Sequence, residues 1–243
     1  MIADRLLPRT IDLGSLARLL PLALICLAIP VIAVVPTPEV SVGIMGGLFV
    51  AIATLIRPGF ALVLLLALVP FSGIFKISLG DFDLSPTEPL FALFIASWAL
   101  SSTLSHIVAL PRGRYLAPVA TLFVLVLASA IVTTKLPLTA KEAIKWLEVL
   151  LIGSYVAVHV RERGPMLALL SALFLAAGLE ALFGVYQFVT GSGPSFFAIG
   201  PFMRAHGHFG QPNPYAGYLA SVLPLAVVCA IASPTRRFRL LAA

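Results

Sequence analysis

The residues with the most chemical potential are crowded into 204–219, Arg-Ala-His-Gly-His-Phe-Gly-Gln-Pro-Asn-Pro-Tyr-Ala-Gly-Tyr-Leu. Arg204 offers a planar fork of N–H donors that suits phosphate oxygens. His206 and His208 carry imidazoles, a group suited to general base work, so either could act as a base. A metal site there lacks a third ligand, and none is expected. Gln211 and Asn213 add amide donors and acceptors. Asn213 also stands where it can cap the next helix, with Pro214 in that helix's first turn.

Other polar residues are scarce enough to be noticed. Glu180 lies deep in an apolar stretch, where a charge is costly and normally faces a cavity or a partner. Gln187 follows it by two helical turns. Lys141, Lys145 and Glu148 share one helical face by their spacing, which reads as a solvated helix start or as cations facing a headgroup. Asp81-Phe82-Asp83 has the form of a metal-diphosphate motif. The adjoining Ser85-Pro86-Thr87-Glu88, however, reads as a capping box that opens a helix, and the structural reading is preferred. Cys26 and Cys229 both fall within apolar spans far apart in sequence, so neither a disulfide nor a metal centre is expected.

These residues are set in an apolar background. Of 243 residues, 60% are hydrophobic and 11% charged, with a mean hydropathy of +1.07; a soluble domain carries roughly 25% charged residues. Apolar runs near 16–35, 40–56, 59–75, 89–105, 116–133, 143–160, 165–189 and 215–233 predict an all-α, polytopic transmembrane bundle of about eight spans. Prolines, glycines and arginines punctuate them. The short run at 40–56 and Pro70 inside the next predict a tilted or kinked hairpin. Residues 1–243 then make a single transmembrane domain.

The basic residues orient it. Arg5, Arg9, Arg18, Arg57, Arg112, Arg114, Arg161, Arg163, Arg236, Arg237 and Arg239 fall in alternate connections. The opposite connections hold Lys76, Lys135, Lys141, Lys145 and Arg204, so the 16 basic residues divide 11 to 5. By the positive-inside rule both termini are cytoplasmic, and 76–88, 134–142 and 190–214 face outward. The net charge of +6 then reflects topology and calls for no nucleic-acid partner. In the longest outward loop, 190–214, Phe196, Phe197 and Phe202 are placed to seat the segment in the membrane interface.

The order Arg204, Gly207-His208-Phe209, Pro212-Asn213 and Ala216-Gly217-Tyr218-Leu219 resembles the signature of the O-antigen ligase and O-antigen polymerase superfamily. The short spans, the Lys-Glu-rich segment 141–148 and the Gln-bearing span before a glycine-rich loop are similar to its N-terminal part. The resemblance implies an inner-membrane glycosyltransferase of lipopolysaccharide or other envelope polysaccharide biosynthesis. Such an enzyme takes glycan from a polyprenyl (undecaprenyl) diphosphate donor to an acceptor hydroxyl on a glycolipid or glycan, without a cofactor.

Arg204 would engage the diphosphate, with His206, His208, Gln211, Asn213, Lys141, Lys145 and Glu180 lining the substrate site. Many relatives have Thr where His208 stands. The family's catalytic His and a second essential Arg come from a later outward loop that these residues do not match, so no catalytic residue is assigned. The expectation is the N-terminal portion of a longer enzyme, which binds donor but does not turn it over. Two other classes fit a polar residue among apolar helices: a secondary transporter, which would show inverted-repeat symmetry, and a non-catalytic membrane subunit of an envelope assembly.

Overall fold

The computed structural model describes residues 38–74, 77–79, 82–104 and 116–232. The predicted span 16–35, Cys26, Lys76, Asp81, and the arginines before 57, between 105 and 115, and beyond 232 lie outside them. Among the described residues the architecture is all-α, with seven α-helices and two very short hairpins: α1 (Pro38–Ile56), α2 (Pro58–Leu68), β1 (Ile77–Leu79), β2 (Phe82–Leu84), α3 (Thr87–Leu104), α4 (Leu116–Ser129), α5 (Leu136–His159), α6 (Arg163–Thr190), β3 (Ala198–Ile199), β4 (Phe202–Met203) and α7 (Pro212–Ala232). Two compact units are formed. One holds α1, α2, the β1–β2 hairpin and most of α3, together with His208–Gly210; the other holds α4 through α7.

Among the described residues, two helices are long and apolar enough to cross a membrane, α6 and α7. The expected number was about eight. Local chemistry shortens several of the others. Arg57 is extended (φ −140, ψ 96) because Pro58 follows it and opens α2. Eleven residues later α2 gives way to the 3-10 turn Val69–Phe71 around Pro70, and at 1.5 Å per residue such a helix reaches only about 16 Å. At the end of α4, Ser129 Oγ turns back to the Val126 carbonyl (2.7 Å). The chain then runs through turn bonds at 130–132, where β-branched Ile131 and Val132 disfavour continuation.

In the first unit α1 packs on α2, with Phe49 edge-on to Phe60, so the two predicted runs do form neighbouring helices. Ser97 Oγ on α3 donates to the Thr54 carbonyl on α1 (2.6 Å), and both residues are fully buried. A hydrogen bond of this kind contributes roughly 0.5–1.5 kcal/mol net. Glu88 accepts the Ser85 N–H, which is the return half of the capping box, while the Ser85 hydroxyl turns to Thr87 Oγ1 (2.6 Å).

The β1–β2 hairpin, with Ile77 opposite Leu84 and Leu79 opposite Phe82, was not expected. Its signal in the sequence was the pair Gly80-Asp81 between short apolar runs, a composition that favours hairpins. In the second unit α4 packs on α5, and α6 on α7. Phe174 and Ala177 of α6 meet Val222 of α7, with Leu170, Leu173, Tyr218, Leu219, Ala226 and Cys229 packed around them.

Candidate functional site

The α6–α7 hairpin positions the polar cluster. Helix α6 buries Ala177, Glu180, Gly184 and Gln187, spaced three, four and three apart and therefore on one face. Glycine at 184 is required by what it meets. A Cβ there would lie 1.8 Å from Tyr215 Oη, and that hydroxyl donates to the Glu180 backbone carbonyl (3.2 Å). The helix ends where Gly191 takes up left-handed φ of 66 and its N–H, like that of Ser192, returns to the Gln187 carbonyl.

The chain then crosses a 3-10 turn at Ser195–Phe197 and the β3–β4 hairpin. The Arg204 N–H bonds the Phe197 carbonyl (3.3 Å). Phe196 and Phe202 are exposed. Phe197 lies instead against the His206 ring at 5.3 Å.

Gln187, fully within the protein at 3% exposure, binds the returning strand. Its Oε1 accepts the N–H of His206 (3.0 Å) and of Gly207 (2.9 Å). Its Nε2 donates to the Gly207 carbonyl (3.3 Å). Two backbone donors on one oxygen fix which way the amide faces.

The same carbonyl lies 2.9 Å from His206 Nδ1. A carbonyl can only accept, so in this contact the ring nitrogen is the donor, and Gln187 Nε2 lies within 3.4 Å of the same ring. Gly207 closes the site. At φ +54, a Cβ there would meet Glu180 Oε2 at 2.3 Å and the Tyr215 ring at 2.5 Å. Glu180, 0% exposed, is therefore the floor beneath the loop.

Arg204 is exposed. Its Nη2 donates to Asn213 Oδ1 (2.9 Å), which leaves the rest of the guanidinium fork for another acceptor. Helix α7 begins at Pro212, so Asn213 lies inside the first turn and does not cap it; its side chain holds Arg204. Gln211 is exposed and accepts the Tyr215 N–H through its carbonyl (3.4 Å).

The structure thus joins Arg204 to Asn213 and sets 206–207 on Gln187 and over Glu180; Gly184 and Tyr215 complete the packing, and sequence reasoning had placed neither in the site. Gly207 is left-handed (φ 54), so the extended backbone that would align 206 with 208 is not present, and His208 is counted with the first unit, 5.4 Å ring to ring from Phe71. Lys145, on α5, pairs with Glu142 one turn away (2.7 Å), and Lys141 is exposed on the same helix. Among the described residues no cluster of metal-ligating side chains occurs.

Comparison with family models, curated proteins and solved structures returns no match for this chain.

Proposed function

We propose that the chain is an O-antigen ligase- or polymerase-like component of the inner membrane that binds a polyprenyl-diphosphate-linked glycan through Arg204 at the outer face. In this reading it is a polytopic bundle with both termini cytoplasmic. The shorter apolar helices contribute to the membrane domain beside α6 and α7, and the loop 190–214 faces outward.

The observation that carries the proposal is the placement of Arg204. It sits in the loop joining two helices of membrane-spanning length, with one donor on Asn213 and no carboxylate paired to it among the described residues. A cation tethered but not neutralised at the end of a helical hairpin is suited to an anion that arrives in the lipid leaflet. The exposed Phe196 and Phe202 support an interfacial position for the same loop. Transfer would proceed by attack of an acceptor hydroxyl on the anomeric carbon, with the lipid diphosphate leaving and cations stabilising its charge. The residues assigned here bind and orient the donor; none is assigned as base or nucleophile.

The test is binding of undecaprenyl diphosphate to the full chain in nanodiscs. Arg204→Ala is expected to lose most of its binding while Arg57→Ala retains it. Equal binding by both variants rejects the proposal. Substrate flux in proteoliposomes without diphosphate binding would favour a transporter instead.

A further inference from the structure

We infer that Gln187 is a positioning residue: a buried amide that locks the backbone of 206–207 onto α6 and thereby sets where Arg204 presents its guanidinium. The consequence for ligand binding rests on the diphosphate reading above; the mechanical claim does not.

The loop between the β3–β4 hairpin and α7 is held at three places. Before the arginine side chain, its own N–H is fixed to Phe197. Beyond it, Asn213 holds the guanidinium. Between these, residues 206 and 207 lack a strand or helix to receive their N–H groups, and Gln187 Oε1 takes both. The same side chain then donates to the Gly207 carbonyl, so one amide satisfies three backbone groups.

Buried backbone groups of this kind are costly to leave unpaired. Without Gln187, segment 204–207 has to rearrange to find other partners, and the arginine moves with it. Gly207 has no side chain of its own to pin it, its carbonyl also meets the His206 ring, and Glu180 and Tyr215 occupy the space that a Cβ at 207 would need.

The experiment compares wild type, Gln187→Met and Gln187→Glu in nanodiscs by amide hydrogen exchange, and measures undecaprenyl diphosphate binding with and without Arg204→Ala. Methionine has a similar length and size but offers only a weakly accepting thioether in place of the amide. Glutamate keeps an oxygen where Oε1 stands.

In Gln187→Met, amides 204–208 are expected to exchange about tenfold faster, with α6 and α7 unchanged. Gln187→Glu should recover part of that protection. Unchanged exchange in Gln187→Met, or equal loss in both variants, overturns the inference. For binding, Gln187→Met is expected to weaken affinity in the wild-type background and to add nothing to Arg204→Ala. An equal further loss in the Arg204→Ala background means that Gln187 does not act through Arg204, which also overturns it. If Arg204→Ala alone leaves binding intact, the diphosphate reading fails, and the exchange data still decide whether Gln187 positions the loop.

Discussion

Glycine positions give the sharpest residue-scale tests, because what an added methyl would meet differs so much among them. Gly207→Ala places a Cβ against Glu180 and Tyr215 at a left-handed φ. Strain of about 1–3 kcal/mol is expected from the backbone alone. Gly184→Ala drives a Cβ into Tyr215 Oη and displaces that hydroxyl from the Glu180 carbonyl, at a cost of roughly 1–3 kcal/mol for overpacking. Gly178, on the same helix, meets nothing within 4 Å, so Gly178→Ala stabilises α6 by about 0.5–1 kcal/mol. Thermal melting of the detergent-solubilised protein should rank the three in that sense, and a Gly184→Ala variant as stable as Gly178→Ala would contradict the packing described.

A second residue-scale prediction concerns charge against shape. Arg204→Lys retains the cation but loses the planar fork, so diphosphate binding falls, and Arg204→Ala lowers it further to a weak residual affinity. Lysine binding as well as arginine would mean that the site senses charge alone.

At the scale of the element, the α6–α7 hairpin separates what was legible from what was not. The apolar runs located both helices to within a few residues, since length and composition suffice for that. Glu180 was noticeable as an isolated acid, with Gln187 two turns on, but Ala177 before it and Gly184 between the two were not read with it. The spacing of Ala177, Glu180, Gly184 and Gln187 marks a face of small and polar residues, the pattern by which helices approach closely in a bilayer. Tyr215 gave no separate sign, because its partners come from an element 30 or so residues earlier.

Asn213 illustrates a different limit. A cap and a side-chain tether use the same oxygen, and only the helix start at Pro212 decides between them. On α5, Lys145→Ala breaks an exposed pair with Glu142 that contributes on the order of 0.2–0.5 kcal/mol. It is expected to leave both the melting temperature and diphosphate binding nearly unchanged. A large loss of binding would bring α5 into the donor site.

For the whole molecule, composition was enough to establish an all-α chain but not how many helices span a membrane. Hydropathy counts apolar residues and does not see where Pro58, Pro70 or the β-branched run after Ser129 stops a helix. The arginine asymmetry supplies a topology that can be measured directly. A cysteine at position 204 is expected to react with a membrane-impermeant maleimide from outside, and one at position 57 only after permeabilisation. Labelling of position 204 from the cytoplasmic side alone would remove the premise of lipid-diphosphate binding.

The mouth of α7 has a further consequence. A helix start normally offers several main-chain amides to an oxyanion, but Pro212 and Pro214 carry no amide hydrogen, which leaves Asn213 as the donor between them. An anion settling at this end is therefore gripped by side chains with little help from the main chain. Its retention will fall as ionic strength rises, and Pro212→Ala or Pro214→Ala, by restoring a missing hydrogen, would partly offset the loss of Arg204.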